Sequence, residues 1–320
     1  MPLYAQAHAH ALKLPYICGI QGLTLTQEEI DFFTSFPPVG FILFARNIAS
    51  VMQIQALTAH LRALHQGDTP ILIDEEGGTV SRLKSLPDWI ELASVSTFET
   101  EASPAHACRH HYETIGKTLA HLGITVNCAP VLDVRTPTTA HYLRPRCFSD
   151  DPHSVATLGR IAIQALQAHR IIPVIKHMPG QGNPSLDSHF ALPSTPFQTE
   201  ILVPFQEISK TEVPSPWGMS GHFKIPELDA EQPVTFSACI LETILRARIG
   251  FQGFLITDDL SMGALQEVSL KERVQRALKA GHDAVLICNE PVLAVEKAVG
   301  DLLPLSELAQ HRLAASFLFP

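Results

Sequence analysis

The residues best suited to chemistry come in short ionisable clusters, most of them at the end of an apolar run. Asp258 and Asp259 follow Leu255-Ile256-Thr257. Neighbouring side chains on a strand point to opposite faces, so at most one of this pair can face a shared pocket. One carboxylate can then act as a nucleophile while the other anchors the Leu260-Ser261-Met262-Gly263 turn, or both can simply cap the loop. Asp187-Ser188-His189 lies in a stretch rich in Gly and Pro. An aspartate two residues from a histidine can accept its N–H, fix the ring tautomer and raise its basicity, which suits general acid/base work near neutral pH. An exposed loop histidine is the other reading. Lys176 and His177 end a further apolar run and could bind substrate hydroxyls, or Lys176 could form a Schiff base. Asp74, after Ile71-Leu72-Ile73, could accept hydrogen bonds from hydroxyls. For these three a salt-bridged strand terminus is the alternative. A charge placed directly after a buried strand needs a partner or a wet cavity, because leaving it unpaired costs on the order of several kcal/mol. Several such charges at equivalent heights imply one polar pocket.

The elements that must hold these groups are legible as an alternation. Apolar runs rich in Val, Ile, Leu and Phe occupy 16–20, 40–44, 71–74, 124–129, 172–176, 217–220, 253–257 and 284–288. Helix-like stretches lie between them at 26–33, 51–64, 105–122, 154–168, 240–248 and 270–280. In one of these, Leu158, Ile161, Ala162, Ala165 and Leu166 recur at helical spacing. Thr26-Gln27-Glu28-Glu29 has the capping-box form. Continuous apolar strands alternating with helices predict a parallel sheet covered on both faces. About eight such units over 320 residues match a (β/α)8 TIM barrel. A doubly wound open sheet would require a G-x-G-x-x-G turn after an early strand, and the sequence has none. With no Gly/Ser linker, repeat or low-complexity block, residues 1–320 read as one α/β domain. In such a barrel the site forms at the C-terminal ends of the strands, where the clusters above fall.

Composition narrows the partners. The net charge is −9 with neutral histidines, which argues against nucleic acid or an anionic membrane as partner. The 46% hydrophobic content supplies a core and excludes wholesale disorder. The six cysteines, Cys18, Cys108, Cys128, Cys147, Cys239 and Cys288, form no C-x-x-C pair and read as reduced, buried thiols. The first twenty residues lack the basic segment of a signal peptide, and no apolar run reaches membrane-spanning length, so a cytoplasmic protein is expected. These features are compatible with a monomer. His8-x-His10 has the spacing of a metal pair, but it precedes the first strand, at the wrong end of a barrel. Neither a metal nor another cofactor is expected.

Taken together, the motifs resemble glycoside hydrolase family 3, in its short β-N-acetylhexosaminidases of bacterial cell-wall recycling. The resemblance runs from about Gly19 to about Gly263. It includes GLTLTQEE (22–29), GFILFARN (40–47), IDEEGGTVSRL (73–83), NCAPVLDV (127–134), KHMPGQGNPSLDSHFALP (176–193), MSGHFKIPELD (219–229) and ITDDLSMGAL (256–265). It implies a retaining β-N-acetylglucosaminidase with Asp258 as nucleophile and His189, held by Asp187, as general acid/base. Asp74, Lys176 and His177 become the hydroxyl-binding set for a terminal N-acetylglucosamine (GlcNAc), and Arg82 and Arg146 also line the sugar site. The implied chemistry is a double displacement through a covalent glycosyl-enzyme, with a His–Asp pair in place of the usual acidic carboxyl. The implied substrate is GlcNAc β-linked to an anhydro-muramic acid peptide, a small muropeptide. This sequence departs from the family pattern at Gln181, where the loop usually has His, and at Thr79, where Arg usually follows E-G-G. A Gln can donate and accept hydrogen bonds but cannot titrate. Alternative readings are a family 3 enzyme for another β-glycoside, one that transfers to phosphate, or a sugar-binding protein without turnover.

Overall fold

In the computed structural model, which describes residues 13–65, 69–87, 89–181, 192–211 and 215–319, eight parallel strands close into a barrel in sequence order. They are β1 (Leu14–Gly19), β2 (Pro38–Leu43), β3 (Ile71–Ile73), β4 (Val126–Asn127), β5 (Ile172–Met178), β6 (Trp217–Ser220), β7 (Leu255–Asp259) and β8 (Ala284–Ile287). Ile17 pairs with Leu286 where β1 meets β8 and the ring closes. Helices α1 (Gln27–Ser35), α2 (Val51–Ala63), α3 (Pro104–His121), α4 (Pro152–Gln167), α5 (Val203–Thr211), α6 (Ile240–Arg248) and α7 (Leu270–Ala280) connect successive strands. Two more, α8 (Val292–Val299) and α9 (Glu307–Ala315), follow β8. The fold is the expected (β/α)8 barrel, and each predicted apolar run overlaps a strand.

The differences are local and have causes. The run at 124–129 contributes only two strand residues, because the Ala129 N–H turns back to the Asn127 carbonyl and Pro130 has no N–H to continue the ladder. β5 instead runs past 176, with a register shift between Lys176 and Met178 against β6. Helices α5, α8 and α9 lie outside the predicted stretches. α9 buries Ala309, Leu313 and Ala314, too little bulk to mark an apolar stripe. α6 keeps its predicted bounds but is wound more widely, and its end is closed by Ile249 N–H to the Ile244 carbonyl. The capping box at the start of α1 forms in both directions: Glu29 N–H donates to Thr26 Oγ1 (3.2 Å) and Thr26 N–H to Glu29 Oε2 (2.9 Å).

Strand alternation sorts the core into two layers. Tyr16 and Cys18 face the helices, whereas Ile17 joins Val39, Ile42, Leu72, Trp217 and Phe254 inside the ring. Trp217 and Phe254 fill the interior with ring centroids 4.7 Å apart; truncating Trp217 to Ala would cost about 3–5 kcal/mol. Leu305, Ala309 and Leu313 pack onto the same interior cluster, and Leu305 N–H donates to the Lys13 carbonyl just before β1. The chain after α8 thus plugs the N-terminal end of the barrel, which leaves the C-terminal end for polar groups. All six cysteines are free, but Cys239 at the start of α6 is exposed, so the expectation of buried thiols fails there. Cys239 precedes Ile240, the first buried residue of that helix, and faces out. Among the described residues no helix is long and apolar enough to cross a membrane.

Candidate active site

The turn after β3 is folded around a buried acid. Glu75 is fully buried, and its carboxylate accepts hydrogen bonds from Ser81 Oγ (2.9 Å) and from the backbone N–H groups of Arg82 (2.8 Å), Leu83 (3.2 Å) and Gly77 (3.3 Å). Burial pushes its pKa up to about 7, and these hydrogen bonds oppose the rise. Asn127 at the end of β4 brackets the Glu75 backbone, accepting its N–H (3.0 Å) and donating to its carbonyl (2.8 Å). Gly77 has φ of 77°, and a Cβ there would lie 2.4 Å from His111 Cε1. That contact explains the glycine, because the His111 ring must donate from Nε2 to the Glu76 carbonyl (2.8 Å). Burial lowers the His111 pKa to about 4, which keeps the ring neutral for that role.

Glu76, the next residue, turns the other way. Its carboxylate takes Lys176 Nζ (2.7 Å) on Oε1 and a two-pronged contact from Arg146 at 2.8 and 2.9 Å. Burial alone would raise its pKa, yet Arg146 and Lys176 hold it well below the ordinary carboxylate range. Lys176 Nζ also donates to Asp74 Oδ1 (2.9 Å), and Arg82 reaches Asp74 Oδ2 at 3.6 Å. Burial disfavours the Lys176 ammonium, but Asp74 and Glu76 outweigh it and hold the pKa above that of a free lysine. A lysine kept cationic between two carboxylates is the opposite of the neutral amine a Schiff base needs. Five charged groups therefore form a rigid net over the ends of β3 and β5, with hydrogen-bonding atoms left toward the cavity.

His177 is fixed from behind. Its Nδ1 lies 2.7 Å from Asp133 Oδ2, and Asp133 is fully buried. The other Asp133 oxygen accepts the N–H of Gln181 at 2.6 Å. With Nδ1–H donated to a carboxylate, Nε2 is the ring atom left to meet a ligand. Gln181 is buried, and its side-chain amide donates to Tyr142 Oη (3.2 Å), so the non-titrating residue is built into the wall.

At the end of β7 the two aspartates divide as strand geometry requires. Asp259 is the anchor: Oδ1 accepts from the backbone N–H groups of Ser261 (2.9 Å) and Cys288 (3.0 Å), and Oδ2 from Asn289 Nδ2 (3.1 Å). Asp258 faces the cavity, and its Oδ1 accepts the Asp259 N–H (2.8 Å). Among the described residues no cation forms an ion pair with it. Burial would raise its pKa, but His222, His177, that N–H and Lys176 together lower it, so the carboxylate is ionised. His222 is buried against Thr235 Oγ1 (2.7 Å) and the Asp259 carbonyl (2.9 Å), locking the backbone that carries Asp258.

A cavity of about 240 Å³ is lined by Asp74, Arg82, Arg146, Lys176, His177 and Asp258, with Glu76, Tyr142 and Gln181 completing its wall. Six of the eight candidate residues from the sequence therefore converge on one space. The other two, Asp187 and His189, lie outside the described residues, as do His8 and His10. Thr79 is described, and nothing in its surroundings accounts for the departure from Arg. Residues with a part in the site that were not singled out in the sequence include Glu75, Glu76, Asp133, Asn127, Tyr142 and His222. The signal for Asp133 was present, since an acid inside the apolar run Val131-Leu132-Asp133-Val134 needs a buried partner, and Glu76 stood among the ionisable residues after the third apolar run.

The family model of the glycosyl hydrolase family 3 N-terminal domain matches residues 25–317. The β-hexosaminidase of Xanthomonas oryzae pv. oryzae is 32% identical over 289 residues, covering 87% of this chain and 84% of that protein. The β-hexosaminidase of Alkalilimnicola ehrlichii is 32% identical over 312 residues, covering 93% and 88%. Among solved structures, NagZ from Neisseria gonorrhoeae in complex with N-trifluoroacetyl-D-glucosamine superposes with a TM-score of 0.85 at 28% identity, over 96% of this chain and 91% of that one.

Proposed function

Because the chain belongs to glycosyl hydrolase family 3 and is a glycoside hydrolase, we propose that it is a retaining β-N-acetylglucosaminidase that removes terminal β-linked GlcNAc. The observation that carries this reading is the placement of one ionised carboxylate, Asp258, with no ion pair among the described residues, on the same small cavity as the Asp74–Glu76–Lys176–Arg146 net. The choice of sugar is supported by the relatives, which are β-hexosaminidases, and by the glucosamine derivative that the Neisseria protein binds.

In the first step Asp258 attacks the anomeric carbon from the face opposite the leaving oxygen. His189, oriented by Asp187, protonates that oxygen as the glycosidic bond breaks. Water, deprotonated by the same imidazole, then releases the sugar from Asp258 with its configuration retained. Fixed charges suit the remaining task of gripping hydroxyls: Asp74 accepts, Arg82, Arg146 and Lys176 donate, and His177 offers Nε2. Because Asp74, Glu76, Lys176 and Arg146 are already paired with one another, the net is preorganised for the sugar. We read the natural substrate as a small cell-wall fragment, GlcNAc on an anhydro-muramic acid peptide, handled in the cytoplasm.

Nitrophenyl β-glycosides test the assignment. The GlcNAc glycoside should be cleaved much faster than the glucoside, at a rate independent of added phosphate, and proton NMR should find the β-anomer of GlcNAc first. Preference for the glucoside, a phosphate requirement, or initial release of the α-anomer would overturn it.

A further inference from the structure

The turn that follows β6 places a second imidazole behind the nucleophile. A Cβ on Gly221 would lie 3.0 Å from the Cβ of His177, and His222 Nε2 lies 2.9 Å from the Asp259 carbonyl, so the turn sits between β5 and β7. His222 is buried and is not part of the 240 Å³ cavity wall. Its effect on the reaction must therefore pass through Asp258.

The protonation of this ring follows from its two partners. A carbonyl oxygen only accepts, so Nε2 carries a proton and donates it to Asp259. Nδ1 lies 2.7 Å from the hydroxyl of Thr235, which is itself fully buried. The other acceptor for that hydroxyl, the Gly221 carbonyl, is 3.3 Å away. One hydroxyl has one proton. Given to Nδ1, it completes the shorter bond and requires a neutral ring, whereas an imidazolium would turn it to the longer one. Burial lowers the His222 pKa below that of a free histidine, with His177 acting the same way and Asp258 and Asp259 opposing. His282, the next imidazole, is held in the reverse sense. Its Nδ1 donates to the Ala277 carbonyl (3.0 Å), so its Nε2 accepts from Ser220 Oγ (2.7 Å), and burial lowers its pKa to about 4.

We infer that Thr235 holds His222 as the neutral Nε2–H tautomer, and that this ring positions Asp258 through the Asp259 backbone without becoming its ion partner. The inference rests on the reading of Asp258 as nucleophile. Asp259 donates its N–H to the Asp258 carboxylate (2.8 Å), and His222 takes the carbonyl of that same residue. A lysine or arginine could fix that carbonyl equally well, but its charge would also pair with the carboxylate that has to attack. A neutral donor fixes the backbone and leaves the nucleophile's charge alone.

Thr235→Val keeps the shape and removes the hydroxyl. Nδ1 then lacks a donor, or the ring moves its proton to Nδ1 and drops the Asp259 carbonyl. Its kcat/KM on an aryl β-GlcNAc glycoside should fall about tenfold or more, while the constant for competitive inhibition by GlcNAc stays within about twofold. Thr235→Ser, which restores the hydroxyl, should recover the rate to within about threefold of the parent. Nitrogen NMR of the 15N-histidine-labelled parent at pH 7, with the His222 signals identified by their loss in His222→Gln, should show a neutral ring protonated at Nε2. A ring protonated at Nδ1 alone or at both nitrogens would overturn the proposal. So would equal losses in the Val and Ser variants, or a loss of GlcNAc inhibition in step with rate, because Thr235 would then hold the barrel mouth as a whole. If the unmutated chain cleaves no β-GlcNAc compound, the hexosaminidase reading falls and takes the positioning role with it, a failure that the NMR signature keeps apart from a wrong tautomer.

Discussion

Two pairs of adjacent carboxylates, Glu75-Glu76 after β3 and Asp258-Asp259 at the end of β7, face each other across the barrel mouth and are built on one plan. In each pair one member is turned into the structure and accepts backbone N–H groups, as Glu75 does from Arg82 and Leu83, and Asp259 from Ser261 and Cys288. The other member faces the cavity. The plans part at that second residue. Glu76 is neutralised by Lys176 and Arg146, whereas Asp258 keeps its charge with no ion partner among the described residues. A carboxylate clamped by two cations is a fixed point for binding and is poorly nucleophilic, because attack would break its ion pairs. An ionised carboxylate polarised by one N–H, two nearby imidazoles and the more distant Lys176, with no ion pair among the described residues, is available to form a bond. In the proposed mechanism, the difference between binder and nucleophile is one of partners, not of residue type.

The largest expected effect comes from breaking the β7 side. Asp258→Ala should lower kcat on a nitrophenyl β-GlcNAc glycoside by on the order of ten-thousand-fold. Because Asp258 has no ion pair among the described residues, the melting temperature should move by no more than about 2 °C. Near-parental turnover would remove Asp258 from the mechanism.

The matching change on the β3 side should show in stability. Glu76→Gln leaves Lys176 and Arg146 buried without their shared anion, and should cost roughly 3–5 kcal/mol in urea unfolding. Loss of activity without loss of stability would mean that the net is not the structural unit described above.

Behind His177, Asp133→Ala frees the ring and should lower kcat/KM by about 10- to 100-fold. Asp133→Asn, which still offers Nδ1–H an acceptor, should recover part of that loss. Equal losses in the two variants would show that the carboxylate charge, not the orientation of the ring, is what matters.

The smallest effect sharpens the contrast within the β3 pair. Glu75 has its folded-state pKa raised to about 7 from an ordinary 4.5, so the folded chain binds more protons than the unfolded one between those values. Its ionisation therefore removes stability as pH rises through that window. Glu76 acts in the opposite sense: its depressed pKa contributes stability that is present above the ordinary carboxylate range and lost as pH falls through it. In Glu75→Gln the first contribution disappears, so the variant should gain stability relative to the parent between about pH 5 and about pH 8. A constant difference across that range would contradict the burial effect.

The barrel was readable because strands buried on both faces appear as unbroken apolar runs, and the capping box at Thr26 marked the first helix. What escaped was whatever tertiary contact decides. β4 shrinks to Val126–Asn127 because the Ala129 N–H turns back to the Asn127 carbonyl and Pro130 has no N–H to offer the ladder. Helix α9 owes its place to the barrel floor it covers, not to a stripe of its own. In the site, strand-end position and family pattern together found the residues that face the cavity. They missed Glu76, although it faces the same cavity, and Asp133 and His222, which act by holding another residue: the need of a buried acid for a partner could be read, but partnership across 44 or 70 positions of chain leaves no local spacing that names the partner.

Trapping the covalent intermediate tests the central contrast most directly. A 5-fluoro GlcNAc fluoride should inactivate the enzyme with one sugar per chain, and mass spectrometry of the digested protein should find the sugar on the peptide that carries Asp258. A label on Glu76 or on any other carboxylate, or turnover with inverted configuration and no label, would contradict the assignment of binder and nucleophile to the two ends of the barrel mouth.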